Sequence, residues 1–298
     1  MRRLKLACTL ITVALSWPFA AHAAGCAGVA PGTTQRIPIG VSGRAMLIHV
    51  PRGYTGRAPL VFLLHGSTGT GAQMLAESGL AETADRHGFV VTAPDGGIPA
   101  GAGFVWNIPG VPTVTGKVPG PGDADDVAYL TTTARWLAEQ GCADRTRIYV
   151  TGLSGGGRMT SWLGCVAADR FAAIAPVVGL RAGNPDARDQ RFPDPATCKP
   201  VRPMPVIAFA GGKDTTNPVQ GGGAPYWQYS MRQAEARWAD LNGCHTPRTS
   251  RTIDRIEQRG YTDCRAGAEV VAHIDLDAGH SWVADNDAMW AFFAKHRR

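Results

Sequence analysis

The sequence predicts an α/β protein with a mostly parallel sheet and helices on both of its faces. Two observations predict this class. Apolar runs rich in Val, Ile and Phe recur along the chain, and segments with helical periodicity separate them. The runs are almost continuously apolar, which is typical of strands buried on both faces, as in a parallel sheet between two helical layers.

Eight segments are the candidate strands. Two come first and alternate well enough to be antiparallel edge strands: GTTQRIPIG at 32–40 and RAMLIHVP at 44–51. The buried strands are expected at APLVFLLHG (58–66), GFVVTAPDG (88–96), RIYVTGLS (147–154), AAIAPVVG (172–179), PVIAFAGGKD (205–214) and EVVAHIDLDAGH (269–280).

Helices are expected between these strands, and two stretches are expected to be loops. The helical segments are 71–87, 123–140, 156–169, 226–241 and 282–296, with aspartates at 123–126 able to cap the second. Residues 97–122 and 180–205 are rich in Pro with Gly or Arg and lack periodicity. Long loops in compact α/β domains are often functional, so we expect substrate contacts there.

The first residues have the pattern of a secretory signal peptide. Basic residues precede an apolar run that closes on small residues, which predicts a signal peptide over 1–23, cut after Ala23, and a single domain over 24–298. The apolar run is too short for a membrane span. The expected location is secreted or periplasmic. The alternative is a lipoprotein site ahead of Cys26, although Ala23 stands where such sites usually carry Leu.

The net charge and the cysteines bear on the binding partners and on the compartment of the protein. Loss of 1–23 would lower the formal net charge from +6 to +3, which is too mild to favour a nucleic-acid partner. Cys8 would leave with the signal peptide, and six cysteines would remain, which predicts disulfides in an exported protein. Their spacing does not fit a C-x-x-C metal knuckle, so no metal is expected.

The cysteine pairing is only partly predictable. Cys244 and Cys264 bracket a short segment between a helix and the last strand, so this pair is the best supported. We expect Cys165 with Cys198 next, and Cys26 with Cys142 by elimination. Other pairings of six cysteines stay open at the level of sequence.

Ser154 is the candidate nucleophile. It lies in Gly152-Leu153-Ser154-Gly155-Gly156, after a buried strand and before a helix that begins with small residues. Flanking glycines permit a sharp strand-to-helix turn in which a Cβ would clash, and such a turn exposes the central side chain. The alternative is an ordinary glycine turn, since the chain has 37 glycines.

Asp214 and His280 complete a candidate catalytic triad. Each follows the end of a predicted strand, on the same sheet edge as Ser154. The chain order Ser, Asp, His is that of the α/β-hydrolase arrangement. Taken singly, Asp214 could be a turn residue and His280 a solvated loop residue. His273 is a rival base, but it lies inside its strand and not at the edge.

Two backbone amides and two tryptophans are the remaining candidates for the site. The amide of Gly155 follows the nucleophile, and the amide of Ser67 lies in the loop LLHGSTGTG, so both are expected to form the oxyanion hole. His65 in the same loop is expected to be structural. Trp106 and Trp282 are candidate substrate-binding residues, with core packing as the alternative.

These motifs together resemble the esterase family of polyhydroxybutyrate depolymerases and feruloyl esterases. The resemblance rests on H-G at 65–66, W-N at 106–107, D-D-V at 125–127, R-I-Y-V-T-G-L-S-G-G-G at 147–157, K-D at 213–214 and G-H-S-W at 279–282. It implies an α/β-hydrolase fold, with Ser154 as nucleophile, Asp214 as acid and His280 as base.

The resemblance also implies a serine carboxylesterase that works through an acyl-enzyme without a cofactor, on a small or short-polymer ester. The motifs depart from the family at AGGKD (210–214), where H-G-T-x-D is frequent, and at HSWV (280–283), where H-T-W-P is frequent. Both departures lie at the pocket wall, so the substrate stays open.

The sequence leaves several hypotheses about function open. Feruloyl-type esters are slightly favoured over hydroxyalkanoate oligomers, because Trp106 and Trp282 could sandwich an aromatic acyl group and no polymer-adsorption domain is expected after the catalytic one. A serine peptidase or acyltransferase would share the same machinery, and a non-catalytic binding protein could share the fold.

Overall fold

A computed structural model describes residues 25–39 and 42–298, and a large sheet organises them. Its strands are β1 (Thr33–Ile39), β2 (Arg44–Val50), β3 (Ala58–Leu64), β4 (Val90–Pro94), β7 (Ala143–Leu153), β8 (Ala173–Val177), β9 (Val206–Gly211), β10 (Thr246–Ile253), β11 (Ile256–Thr262) and β12 (Val270–Asp275). The short strands β5 (Ile98–Ala100) and β6 (Gly103–Val105) pair separately. The predicted signal peptide lies outside the described residues.

The strand order shows a parallel centre with antiparallel flanks. The order is β1-β2-β4-β3-β7-β8-β9-β12-β11-β10. The strands from β4 to β12 in this order are parallel, whereas β1, β2, β10 and β11 pair antiparallel. Every residue of β3, β4, β8 and β9 is buried, as central parallel strands require. The predicted fold class is confirmed.

Helices cover both faces of the sheet, and each face has its own core. The helices are α1 (Gly71–Ser78), α2 (Leu80–His87), α3 (Asp126–Glu139), α4 (Gly155–Val166), α5 (Met231–Asn242) and α6 (Asn286–Phe293). Leu130, Leu163 and Trp238 of α3, α4 and α5 belong to one core cluster. Met74 and Phe292 of α1 and α6 belong to the other. The predicted site residues therefore lie at the edge of a sheet that packs against helices on both faces.

The helices differ from their predicted bounds for local reasons. The segment 71–87 is two helices, because Gly79 has a φ of 63° and caps both α1 and α2. Helix α5 begins later than expected, at Met231, where the Ser230 hydroxyl accepts a hydrogen bond from the Gln233 amide. Asp125 caps α3 in the same way through the Ala128 amide, within the aspartate run expected to do so.

Two strands and one hairpin were not expected. Strands β10 and β11 form the antiparallel end of the sheet, and their sequences TPRTSRTI and IEQRGYT are too polar to show an apolar run. The predicted loop 97–122 contains the β5–β6 hairpin. Edge strands exposed on several sides carry few apolar residues, so periodicity does not reveal them.

Three disulfides cross-link the part of the chain that the structure describes, and all three predicted pairs are confirmed. They are Cys26–Cys142, Cys165–Cys198 and Cys244–Cys264. The sulfur of Cys26 is thus in a disulfide, and the lipid thioether of the lipoprotein alternative would need the same atom. Disulfides are typical of proteins in oxidising compartments. Among the helices described, none is long and apolar enough to cross a membrane.

Candidate active site

Ser154 occupies a sharp turn between β7 and α4. Its φ is 54° and its ψ is −110°, a conformation that costs a non-glycine residue of the order of 1–3 kcal/mol. Its amide donates to the Val177 carbonyl at 2.9 Å, and its carbonyl accepts from the Arg158 amide at 2.8 Å. The neighbouring strand and the first helical turn therefore hold the strained residue in place, at the carboxyl edge of the sheet.

The flanking glycines are required by close backbone approach. A Cβ on Gly152 would lie 2.7 Å from the Leu64 carbonyl oxygen. A Cβ on Gly156 would lie 2.3 Å from the same oxygen. Both distances are well below any normal contact, so no larger residue fits. The glycines are thus explained by the packing of α4 against β3, which is how a nucleophile elbow is built.

Asp214 and His280 are in direct contact. The Nδ1 of His280 lies 2.8 Å from the Oδ2 of Asp214. Since an ionised carboxylate only accepts hydrogen bonds, His280 donates from Nδ1, which leaves Nε2 of the neutral ring as the acceptor. Asp214 follows β9 and His280 follows β12, and these strands are neighbours in the sheet. The sheet therefore brings together two of the three predicted triad side chains.

Asp214 is a buried carboxylate that the loop keeps ionised. It is 4% exposed, and its Oδ1 accepts hydrogen bonds from the Thr216 and Asn217 amides, each at 2.8 Å. Burial acts to raise the pKa of Asp214, but the hydrogen bond with His280 and the two amides outweigh it and lower the pKa below its ordinary value. An ionised acid that fixes the imidazole tautomer is what a serine nucleophile needs from its base.

Ser154 lies at the same edge of the sheet, two strands away from β9. Among the described residues, the Ser154 hydroxyl makes no hydrogen bond. Ser154 and His280 are therefore not hydrogen-bonded to each other in this structure. Hydrogen bonds between catalytic groups are often long without substrate and tighten when it binds. The structure places the three residues on one edge, and their catalytic roles stay predictions.

The predicted oxyanion donors are neighbours. A Cβ on Gly155 would lie 3.0 Å from the Ser67 amide nitrogen, so the backbones of these two residues run side by side. Gly155 is the first residue of α4, where amides are free of helical partners and the helix dipole is positive. The loop after β3 is fixed by the Thr68 amide, which donates to the Phe104 carbonyl at 2.8 Å.

His65 is structural in this arrangement, as the sequence predicts. It is 1% exposed, and its Nε2 accepts a hydrogen bond from the Gly96 amide at 2.8 Å. Its Nδ1 lies 2.7 Å from the Gly66 carbonyl oxygen, so Nδ1 carries the proton. Burial lowers the pKa of His65, which favours this neutral form. The ring thereby joins the Ser67 loop to the loop after β4.

The two candidate tryptophans line different spaces. Trp106 is 4% exposed, its Nε1 donates to the His65 carbonyl at 2.9 Å, and it lines a narrow space with Ser67 and Gly155. Trp282 lines a separate cavity that contains His273, and its Nε1 donates to Asn286. The expected aromatic sandwich by these two rings is therefore not formed, because only Trp106 lies beside the oxyanion donors.

One large cavity among the described residues is not at this edge. Its volume is about 1080 Å³, and it is lined by the start of β7 and by exposed arginines such as Arg135 and Arg298. That end of β7 is opposite to Ser154. One narrow space instead adjoins the oxyanion donors, and Arg158 lines both this space and a second one that Arg181 also lines.

Sequence reasoning missed Arg158 and Arg181, which are both buried near these spaces. An arginine three or four residues into a helix is usually read as solvated. The sequence did contain one signal for Arg158. It directly follows Gly155-Gly156-Gly157, so it lies in the first turn of the helix after the predicted nucleophile, which is packed closely and leaves little room for solvent.

The fold and this edge define a class of protein. The mostly parallel sheet, the strained serine between β7 and α4, and the Asp–His pair after later strands are those of an α/β-hydrolase. An acetyl xylan esterase from Aspergillus awamori has the same fold, with a TM-score of 0.63 over 88% of this chain and 99% of that protein, at 16% identity.

Sequence comparisons give the nearer relationships. The chain is 30% identical to feruloyl esterase B of Piromyces equi over 230 residues, which are 75% of this chain and 39% of that protein. It is 31% identical to acetylxylan esterase A of Aspergillus ficuum over 184 residues, which are 60% of this chain and 55% of that protein. Residues 80–182 match the prolyl oligopeptidase family.

The chain is thus an α/β-hydrolase-fold relative of the feruloyl and acetylxylan esterases, and the resemblance to feruloyl esterases is confirmed. It spans well under two thirds of the length of these two curated relatives. The depolymerase part of the expected resemblance stays a prediction.

Proposed function

We propose that the protein is an exported serine carboxylesterase that acts on small or short-polymer esters. The observation that supports this most is the 2.8 Å hydrogen bond between His280 Nδ1 and the buried Asp214, on the same sheet edge as the strained Ser154. The esterase names of the relatives point to the same reaction class. Three disulfides and the predicted signal peptide support export.

The proposed reaction proceeds through an acyl-enzyme. Ser154 Oγ attacks the ester carbonyl carbon while His280 Nε2 takes its proton, and the amides of Ser67 and Gly155 bind the oxyanion. The tetrahedral intermediate collapses, the C–O bond to the alcohol breaks, and His280 returns the proton to the alcohol. Water then attacks the acyl-enzyme in the same way and releases the acid. Asp214 stays ionised and stabilises the imidazolium in both halves.

Replacing the nucleophile tests the proposal. Ser154→Ala should lower kcat for a short nitrophenyl ester by about 10⁴-fold or more, because attack on the carbonyl is lost while the oxyanion donors remain. Ser250→Ala is the matched control, since Ser250 lies on β10 at the end of the sheet and its hydroxyl contacts Glu257, not a predicted site residue. Near wild-type turnover by Ser154→Ala, with an unchanged melting temperature, would contradict the proposal.

The acyl group is the finer part of the proposal. We favour feruloyl-type or hydroxyalkanoate esters, and Trp106 supplies one aromatic wall beside the oxyanion donors. Methyl ferulate and a hydroxybutyrate trimer separate the two, because a tenfold difference in kcat/KM corresponds to about 1.4 kcal/mol in barrier. A preference of that size for the trimer would reject the feruloyl assignment.

A serine peptidase is the second candidate, because residues 80–182 match the prolyl oligopeptidase family and include the nucleophile elbow. The elbow and the Asp–His pair would serve amide hydrolysis equally well. A proline anilide and a nitrophenyl ester, assayed side by side, decide between the two. Faster turnover of the anilide at equal concentration would favour the peptidase.

A further inference from the structure

Two buried arginines have no carboxylate partner among the described residues: Arg158 lies beside the oxyanion donors, and Arg181 lines a second space that Arg158 also lines. Arg158 is 5% exposed and Arg181 is 8% exposed. Neither takes part in an ion pair among the described residues, in contrast to Arg259, which pairs with the buried Glu235. A buried guanidinium without a counterion costs several kcal/mol, so such groups are almost always balanced.

The contacts of Arg158 balance only part of its charge. Its Nη2 lies 3.4 Å from the Ser67 hydroxyl, and its guanidinium carbon lies 4.1 Å from the centre of the Tyr226 ring. Its buried Nε has no hydrogen-bond partner among the described residues. A cation–π contact contributes about 0.5–2 kcal/mol, which is less than the cost of burying the charge.

Arg181 is in the same situation. Its guanidinium lies 3.3 Å from the Trp227 ring centre and 4.2 Å from that of Tyr229, and Nη1 donates to the Tyr229 carbonyl at 2.6 Å. Its Nε and Nη2 are buried and have no partner in the part of the chain that is described. Burial lowers the pKa of both Arg158 and Arg181 to about 10, so both remain cations at neutral pH.

Arg158 connects these cations to the reaction centre. It lines one narrow space with Ser67 and Gly155, and a second one with Arg181 and Asn184. No Asp or Glu lines either space. Arg158 also lies in the first turn of α4, where the helix dipole adds positive potential. Among the described residues, the only charged side chains that line these two spaces are therefore the two arginines.

We propose that Arg158 and Arg181 bind a carboxylate carried by the ester substrate, a few bonds away from the carbonyl that Ser154 attacks. This inference rests on the esterase function proposed above. A planar carboxylate matches the planar donor fork of a guanidinium and supplies one of the two missing negative charges. The spaces are wide enough for about one water-sized group each, which suits carboxylate oxygens. Water there would satisfy the N–H groups but would leave the charge unbalanced.

Matched pairs of esters test the proposal. Monomethyl adipate carries the anion on the acyl side, and methyl 5-carbamoylpentanoate is its neutral amide counterpart. For the alcohol side, 4-acetoxybutanoate is compared with 4-acetoxybutanamide. We expect kcat/KM to be at least tenfold higher for the anionic member of one pair. Equal or lower values for both anionic esters would overturn the inference while leaving the esterase function intact.

Variants then assign the preference to the arginines. Arg158→Gln should bring the anionic-to-neutral ratio of kcat/KM close to one, whereas Arg158→Lys should retain part of it. Arg135→Gln is the control, because Arg135 is 59% exposed at the far end of the sheet and should leave the ratio unchanged. An unchanged ratio in Arg158→Gln would overturn the assignment.

One measurement needs no variant and guards against misfolding. Adipate should inhibit wild-type hydrolysis of 4-nitrophenyl acetate competitively at a concentration at least tenfold below that required for adipamide. Equal inhibition by the two would overturn the inference. Failure to hydrolyse 4-nitrophenyl acetate at all would overturn both this inference and the esterase function, which keeps the two failures distinguishable.

Discussion

The protein buries arginine in two different ways. Between α5 and β11, Arg259 donates to both carboxylate oxygens of Glu235, at distances from 2.9 to 3.1 Å, and the two side chains are 11% and 3% exposed. Beside the site, Arg158 and Arg181 are buried against aromatic rings and no carboxylate. A bidentate pair completes its charge within the chain. An unbalanced pair of cations leaves that to a ligand.

The backbone shows the same difference. Helices α3 and α5 begin from capping residues with extended backbone, Asp125 and Ser230, each of which accepts a hydrogen bond from the first turn. Helix α4 begins from Ser154, with a positive φ and no side-chain cap. Caps stabilise helices by about 1 kcal/mol, whereas strained residues cost a similar amount. We therefore infer that the site region, at the start of α4, is locally less stable than the starts of α3 and α5.

The largest expected effect is a loss of turnover when a predicted triad residue is replaced. Asp214→Asn should lower kcat by about 10⁴-fold, because an amide can donate to Nδ1 and stabilise the wrong imidazole tautomer. Its effect on unfolding should be small beside that loss. Initial rates with a nitrophenyl ester measure it.

Asp277→Asn is the control for this prediction. Asp277 lies in the same loop as His280 but pairs with the exposed Lys213. Its rate should stay within about twofold of wild type, as is usual for exposed ion pairs. A similar loss of rate in both variants would mean that general loop disruption, and not the tautomer of His280, explains the effect.

The next largest effect concerns the ion pair between Glu235 and Arg259. Glu235→Gln should lower the free energy of unfolding by about 3 kcal/mol, because it removes the charge of the better-placed partner and leaves Glu257, at 3.3 Å, as the only carboxylate that contacts Arg259 among the described residues. Urea unfolding measures this, and kcat/KM should not change. Glu139→Gln, in the exposed pair with Arg135, is the matched control and should unfold like wild type. Equal midpoints for the two variants would refute the distinction.

A disulfide connects the elements that carry the two unbalanced arginines. Cys165 is in the last turn of α4, and Cys198 is in the segment that follows Arg181. Replacing both cysteines with Ala should cost about 3 kcal/mol of stability, since a loop of 33 residues is no longer closed. It should also reduce the preference for anionic esters.

The Cys244–Cys264 bridge provides the control for that variant. It closes a loop of 20 residues between the end of α5 and the end of β11, away from Arg158 and Arg181 in sequence. Its removal should therefore lower the free energy of unfolding by a comparable amount. It should leave the preference for anionic esters unchanged. If both double variants change that preference equally, the effect follows global stability and not the placement of the arginines.

Sequence predicted the central sheet and the catalytic candidates because both depend on local pattern. Strands buried on both faces are continuously apolar, and the elbow needs glycines at fixed positions around Ser154. Asp214 and His280 were found because the ends of parallel strands meet at one edge.

Other features depend on tertiary context that a local pattern does not contain. Strands β10 and β11 are polar because they lie at the end of the sheet. The missing counterions of Arg158 and Arg181 follow from which side chains the folded chain brings near them. Trp106 and Trp282 line different cavities because one follows β6 and the other precedes α6.

The smallest expected effect concerns the strain at Ser154 itself. Glycine adopts a φ of 54° without the penalty that Ser pays there, but it also gains more entropy in the unfolded chain. Because the first effect is of the order of 1–3 kcal/mol and the second about 1 kcal/mol or less, Ser154→Gly should be more stable than Ser154→Ala by about 1 kcal/mol. Both variants lack the hydroxyl, so their comparison isolates the backbone. On β10, Ser250 does not have a positive φ, so Ser250→Gly should instead be less stable than Ser250→Ala, because glycine gains more entropy in the unfolded chain without relieving strain. Thermal and urea unfolding of the four variants measure the difference. If Ser154→Gly were no more stable than Ser154→Ala, the elbow would store no strain, and the lower stability inferred for the site region would rest on the buried arginines alone.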